Sequence, residues 1–411
     1  MGLQPCSPTF HPRILVPLFD DWTASPSIIP RHPFENSFLS VESVEEVMQR
    51  PRQNLLAAFI ACIFVFGATG LFAQGSQAEA SGDLKVTLTH LTTPASSKKL
   101  RIAIVQMHSL DHDIDGNLKR ATTFAEKAAA QGAALVLYPE LMPTGSYLSF
   151  DTWDSAEPSN GKTVQWLKLT SRRLHLWLGA GFFEANGSDF YDTFVITTPD
   201  GEEAGRVRKT APAEAEAYFF RGYEGSHIIN TAVGKIGVGI CAENYYCRFA
   251  SRMLEQSADL ILMPHAAPDM SETGGLPSPP GTRLASWYAK KLGVPVAMVN
   301  KVGRSYKPPP NEIKGFFPGL SAIVDSDGTV LQSMDDKEGI ALADVILDPS
   351  RKRNDGPVCT GIGISELTIG GSAGEQRVAK SQATGKESYD SNSVRKAKAL
   401  AISATRPIST K

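Results

Sequence analysis

Three residues of this 411-residue chain have types and placements that could run a covalent reaction. Glu140 closes the apolar run AALVLYPE and is followed by LMPTGSY, Lys209 lies in VRKT, and Cys241 follows KIGVGI. A thiol attacks carbon as its thiolate, and an ordinary pKa of about 8.5 leaves only a few per cent in that form at neutral pH, so a base must accompany it. A carboxylate at the end of an apolar strand can be that base, because partial burial raises its proton affinity towards neutrality. An ammonium group can hold the negative charge that develops on a carbonyl oxygen or a nitrile nitrogen under attack. Singly, each residue has a plainer reading: a core thiol, a strand-end carboxylate, one member of the RVRK charge run. Together they specify a nucleophile, a base and an electrostatic stabiliser.

The surrounding pattern must place all three on strand ends. RIAIVQM at 101–107 reads as a buried strand, and NLKRATTFAEKAAAQ as a helix starting near Asn117 and stopped by Gly132. AALVLYPE is the second strand and HLWLGAGFF from 175 the third. YDTFVITTPDGEEAGRVRK reads as a hairpin turned at Asp200-Gly201, with Lys209 on its second arm. KIGVGI runs into Cys241, and the helical spacing of ENYYCRFASRML puts the thiol at a strand-to-helix turn, where the helix dipole favours thiolate. FASRMLEQSA with DLILMPHA, and RLASWYAKKLG with VPVAMVN, are helix-then-strand units of a parallel sheet. GLSAIVDSDGTVLQSM is a last hairpin, turned at Asp327-Gly328. Helices interleaved with strands and hairpins predict an α/β fold, a layered α-β-β-α sandwich, over residues 100–348. From 349 to 411 the chain is rich in Ser, Gly, Ala and Lys without sustained periodicity and reads as a mostly disordered tail.

Composition excludes several function classes. Forty-one Lys and Arg against forty-three Asp and Glu give a net charge of −2, which is not the basic field that nucleic acid requires. The five cysteines, at 6, 62, 241, 247 and 359, show no CxxC pairing, so neither a disulfide framework nor a zinc cluster is expected, and Cys247 reads as a packed thiol. DHDIDG at 111–116 opens like a calcium loop, but its twelfth position is Thr122 where a bidentate Glu is needed, so it reads as a polar helix cap. His265, at a strand end in MPHAAPDM, could line a pocket but has no spaced metal-binding partner.

In order and spacing these segments resemble the nitrilase, or carbon–nitrogen hydrolase, superfamily. The family carries a Glu in a strand-end P-E segment, a Lys in an R-K segment and a Cys in a G-x-x-x-C segment, which correspond here to Glu140, Lys209 and Cys241. SADLILMPHAA, GVPVAMVNKVG and FFPGLSAIVDSDGTVL are further landmarks. The resemblance implies a hydrolase that cleaves a non-peptide carbon–nitrogen bond through a thioester or thioimidate on cysteine, with no metal and no cofactor. It also implies a second Glu between the Lys and Cys segments, supporting the Lys or positioning substrate in the pocket, for which Glu216 in PAEAEAYFFRG is nearer the expected place than Glu214. Glu243 in CAEN is similarly expected in the substrate pocket. Ala242 replaces the bulky aromatic of true nitrilases, and PELMPTGSY is closer to the amidase and carbamoyl-hydrolysing branches. The expected substrate is therefore a small amide or carbamoyl compound first and a nitrile second. Amine acylation and a noncatalytic binding or assembly role are the alternatives, and a homo-oligomer is implied by the resemblance alone.

Residues 55–73, LLAAFIACIFVFGATGLFA, form an uncharged apolar run preceded by Arg50 and Arg52 and followed by the small residues of QGSQAEASGD. Residues 48–74 read as a signal peptide or as a signal anchor, with 75–99 as a linker, so the domain is expected outside the cytoplasm. Translation from Met48 gives a conventional secretory start, leaving 1–47 as a mis-annotated or nonessential extension. N-terminal sequencing of the native protein is expected to place the start at Met48 for an uncleaved anchor or after residue 73 for a cleaved signal, and a start well before Met48 overturns this reading.

Overall fold

Alternate residues of the first strand, β1 (Lys98–Gln106), enter two different cores. Ile102 and Ile104 join one cluster of buried side chains while Ala103 and Val105 join another. A strand covered on both faces has no polar side to show, which is why its sequence reads as a continuous apolar run. The computed structural model describes residues 96–145, 148, 150–269, 279–307, 312–354, 358–367 and 371–405, all within the unit Thr87–Lys411. The apolar run at 55–73, with the extension, signal and most of the linker read around it, lies outside the described residues. No helix among the described residues is long and apolar enough to cross a membrane.

After β1 come α1 (Ile114–Ala130), β2 (Leu135–Leu137), β3 (Glu157–Pro158), α2 (Lys162–Leu174), β4 (Trp177–Asn186), β5 (Asp189–Thr197) and β6 (Glu203–Arg208). Then follow β7 (Ile228–Thr231), β8 (Gly234–Val238), α3 (Cys247–Glu255), β9 (Leu260–Pro264), α4 (Gly281–Leu292) and β10 (Val296–Val299). The chain continues through β11 (Val302–Lys307), β12 (Glu312–Pro318), β13 (Ala322–Val324), β14 (Val330–Ser333) and β15 (Gly339–Leu347), and closes with α5 (Gly371–Ser391) and α6 (Ser393–Ser403).

One sheet has the order β15-β1-β2-β4-β5-β6, with β3 beside β4, and the other the order β14-β13-β10-β9-β8-β7. Each is parallel at its centre (β1-β2-β4 and β8-β9-β10) and antiparallel towards its edges. Ile102, Leu135, Phe194, Val238, Leu262 and Val299 fill the space between the sheets. Leu118 and Ala125 of α1 and Val164 of α2 cover one outer face, and Phe249 of α3 with Leu284 and Tyr288 of α4 cover the other. This is the layered α-β-β-α sandwich that the patterning predicts. Helix α1 begins at Ile114, earlier than the expected Asn117, because Asp113 accepts a hydrogen bond from Gly116 N at 3.1 Å and caps it there. Gly132, at φ +77°, ends that helix as expected.

Two expectations are corrected beyond residue 348. The segment read as mostly disordered contains α5 and α6, with Tyr389, Arg395 and Ala399 buried. Its order comes from partners far away in sequence: Arg395 Nη1 lies 2.9 Å from Asp189 Oδ1 and Asp390 Oδ1 lies 2.7 Å from Arg221 Nη2. A composition count cannot register such contacts. The second correction is a disulfide between Cys247 and Cys359, whose Cα atoms stand 5.6 Å apart across 112 residues of sequence. Around it Cys247 N donates to Ile362 O at 2.9 Å and Ile364 N to Tyr245 O at 2.9 Å, while Val358, Ile364 and Leu367 join the outer core. In the chain-entropy account, closing a loop of that length stabilises by roughly 4–5 kcal/mol. C359S, or treatment with a thiol reductant, is expected to lower the melting midpoint by several degrees or more in a calorimetric scan; an unchanged midpoint sinks this account.

Candidate active site

Glu140 stands just beyond β2, where the neighbouring strand β4 comes very close. A Cβ placed on Gly181 would sit 3.0 Å from Glu140 Cα, so the glycine in LGAGFF admits the carboxylate's backbone. Lys209 directly follows β6 and its N–H donates to Asp192 O at 2.9 Å. Cys241 opens a short 3-10 turn, Cys241–Tyr245, with φ at +51°. A positive φ on a residue other than glycine is a strained backbone state that surrounding structure must hold in place. Glu243 does much of that holding. Its Oε2 accepts from Ile240 N at 3.0 Å and its Oε1 from Thr210 N at 2.5 Å, which ties the Cys241 turn to the residue after Lys209.

The three foreseen residues meet around one buried cation. Lys209 Nζ lies 2.6 Å from Glu140 Oε1, 2.8 Å from Glu216 Oε2 and 3.4 Å from Asp192 Oδ2. Glu140 and Lys209 are each only 1% exposed. Burial opposes the charge on Lys209, but Glu140, Glu216 and Asp192 hold its proton affinity well above the ordinary value. Burial also disfavours the Glu140 carboxylate, yet Lys209 and a hydrogen bond from Asp192 bring it down to about 2. Asp192 goes the other way: burial and then the charge of Glu140 push its carboxyl well above the usual range. Contact with Lys209 thus favours the ionised form of Glu140, while burial pushes Asp192 and Glu216 towards their neutral forms.

Two expectations change here. Glu140 is the most ionised carboxylate of the cluster, not one raised towards neutrality, because it touches Lys209 directly. Cys241 rests as a thiol: burial and the Glu140 charge lift its pKa well above the ordinary value, against Lys209 and the Ala266 N–H. The expected help from a helix dipole is missing, since α3 begins only at Cys247. The Ala266 N–H also donates to Glu140 Oε2 at 2.6 Å, so one backbone donor faces both carboxylate and sulfur.

Residues 101–352 match the carbon-nitrogen hydrolase family. The chain belongs to that family. It is 27% identical over 273 residues to an N-carbamoylputrescine amidase of Arabidopsis thaliana, covering 63% of this chain and 90% of the relative. It is also 27% identical over 266 residues to a nitrilase of Pyrococcus abyssi, covering 62% and 94%. Among solved structures, Saccharomyces cerevisiae Nit3, a member of branch 10 of the nitrilase superfamily, superposes with a TM-score of 0.52 at 25% identity, covering 62% of this chain and 92% of that one. The protein is a carbon–nitrogen hydrolase.

Further residues of this hydrolase frame the site. Asn244 Nδ2 reaches Gly239 O at 2.8 Å, Cys241 O at 3.1 Å and His265 Nε2 at 3.0 Å, and Tyr288 Oη donates to Asn244 O at 2.9 Å. His265 is fully buried, and burial brings its pKa down to about 4, so it accepts from Asn244 as a neutral ring. Lys301 Nζ donates to Leu141 O at 2.9 Å, and burial draws its pKa down to about 8 against the pull of Asp111 and Glu140.

Of the two roles open to Glu216, the structure shows the contact with Lys209. Glu243, expected in the substrate pocket, is instead a brace: its oxygens serve Thr210 N, Ile240 N and His227 Nε2, the last at 3.1 Å. It borders a cavity of about 380 Å³ shared with His227, Phe249, Arg252 and Ile362, whose lining includes none of Glu140, Lys209 or Cys241. Glu140, Asp192 and Glu216 offer oxygens within 4.8 Å of one another, a set a divalent cation accepts. Lys209 already contacts all three, so the positive charge at their centre belongs to the protein. Asp192 was missed by the sequence reading, although an acid inside the apolar strand DFYDTFVIT is a signal in itself. Asn244 and Lys301 carried no such mark.

If Asp192 is neutral when folded, D192N preserves its charge state. A raised folded pKa contributes stability that is fully present below the unfolded value and lost as pH rises towards the folded one. D192N removes that loss, so its melting midpoint relative to wild type is expected to climb between pH 4 and pH 7. A relative midpoint that falls over this range shows Asp192 to be ionised.

Proposed function

We propose that Cys241 is the nucleophile, Glu140 the proton shuttle and Lys209 the electrostatic stabiliser of an exported hydrolase for small linear amide or carbamoyl compounds. The observation that carries this reading is the buried Glu140–Lys209 pair, which shares the Ala266 N–H with the Cys241 thiol. In the resting state Glu140 is ionised and the thiol is protonated, the correct starting point for proton transfer from sulfur to carboxylate. A carboxylate held at about 2 is a weak base, however. Transfer therefore accompanies bond formation: as sulfur attacks the carbonyl carbon, negative charge grows on the oxygen, Lys209 turns part of its attraction to it, and the basicity of Glu140 rises.

Protonated Glu140 then gives its proton to the departing nitrogen, and ammonia or an amine leaves a thioester on Cys241. Water attacks that carbon while Glu140 accepts its proton, the carbon–sulfur bond breaks, and the acid product departs with Cys241 again a thiol. Glu216, 2.8 Å from Lys209 Nζ, keeps the ammonium in place while its contact with Glu140 loosens.

The similarity to an N-carbamoylputrescine amidase supports the amide and carbamoyl class, and so do PELMPTGSY and the small Ala242 beside the nucleophile. The Cys247–Cys359 disulfide supports export, because such bonds persist in oxidising compartments and are rare in the cytosol. Purified protein is expected to release ammonia from small amides or carbamoyl amines, and C241A to lose all measurable turnover. Acylated amine as the main product, or substantial activity in C241A, rejects the proposal.

A further inference from the structure

The matched family region ends at residue 352, yet the chain returns to the active-site side of the domain through α5. The short 3-10 turn Glu214–Tyr218 carries Glu216, the carboxylate that approaches Lys209. Helix α5 packs directly on that turn. A Cβ built on Gly385 would lie 2.7 Å from Ala217 Cβ and 3.0 Å from Ala217 C. Backbone thus meets backbone at a distance no side chain permits, and Gly385 gives up helix propensity in allowing it.

The contact is bounded on both sides. Gln382 Nε2 donates to Pro212 O at 2.6 Å, and Asp390 pairs with Arg221 at 2.7 Å, so α5 holds the chain before and after the turn. Tyr389 Oη accepts from Phe190 N at 2.8 Å at the start of β5, the strand that carries Asp192. Arg395 of α6 stacks on the Tyr389 ring with its guanidinium carbon 3.9 Å from the centroid. Glu216 has little else to fix it: apart from Lys209, its carboxylate accepts only the local Ala213 N–H at 2.7 Å among the described residues.

We infer that α5 is an intramolecular clamp whose Gly385 and Gln382 are positioning residues, acting through the 214–218 turn to keep Glu216 on Lys209. The inference rests on the catalytic reading above, and it converts a C-terminal segment outside the family region into a working wall of the site. Releasing the clamp withdraws the Glu216 carboxylate from the cluster around Cys241, which otherwise faces Glu140, Glu216, Lys209, Lys301, Tyr245 and the Ala266 N–H. Since Glu216 favours the neutral thiol, its withdrawal makes Cys241 ionise at lower pH.

The test combines G385L, E216Q and the double variant in the full-length protein. The first readout is the pH dependence of Cys241 alkylation by iodoacetamide, followed on the Cys241 peptide by mass spectrometry. The second is kcat and KM for ammonia release. G385L is expected to shift the alkylation midpoint to lower pH, as E216Q does, and to lower kcat on the order of 10–100-fold with little change in KM. In the E216Q background G385L is expected to add nothing.

A G385L profile that coincides with wild type overturns the clamp. So do G385L and E216Q effects that simply add, because a general loss of packing does not depend on Glu216. Should G385L fail to fold by circular dichroism, Q382L, which removes only the bond to Pro212, is read by the same criteria. If alkylation responds as expected while no amide or carbamoyl compound is hydrolysed, the substrate reading fails and the clamp stands.

Discussion

A fully buried ammonium group is the constraint on which the site depends. Lys209 cannot stay charged away from water unless anions replace its hydration, and removing one partner from such a buried pair typically costs about 3–5 kcal/mol. Three carboxylates converge on it, which creates the opposite problem: their mutual repulsion exceeds what one ammonium offsets. The repulsion falls unequally: contact with Lys209 holds Glu140 in its ionised form, while burial and the charge of Glu140 push the carboxyl of Asp192 up. The proton affinities of the cluster are thus set by burial and contact.

That arrangement must be assembled from distant pieces of backbone. Glu140 follows β2, Asp192 lies in β5, Lys209 follows β6 and Cys241 follows β8, so both sheets contribute. Parallel centres bring strand ends of like polarity together, and the buried brace Glu243 then fixes the Cys241 turn against the Lys209 segment through Thr210. Asn244 adds a second tie across the turn to His265, at the end of β9. The strained φ of Cys241 is held by these bonds rather than by local preference.

The C-terminal region has the same logic of long-range support. The Cys247–Cys359 bond pins a strap on α3, immediately after the Cys241 turn, and α5 and α6 pack on the 214–218 turn and on β5. Few of these residues form an apolar stripe. Their order comes from ion pairs, a glycine contact and one disulfide, each with its partner more than a hundred residues away. Such partners leave no local periodicity, so a reading of composition treats the region as disordered.

The sequence by itself determined the layered fold, and it singled out Glu140, Lys209, Cys241 and Glu216, which the fold brings together around one buried ammonium group. Strand and helix periods are local properties of the chain, and the motif segments stand on their ends. Only the tertiary structure decided the protonation pattern, because the pKa of Glu140 depends on Lys209, 69 positions away, and that of Asp192 on both. It also decided that Glu243 braces backbone instead of meeting substrate, that Cys247 is bonded to Cys359, and that the last helices close over the Glu216 turn. Charge, burial and contact between distant segments are properties of the folded arrangement, and no local pattern of residues contains them.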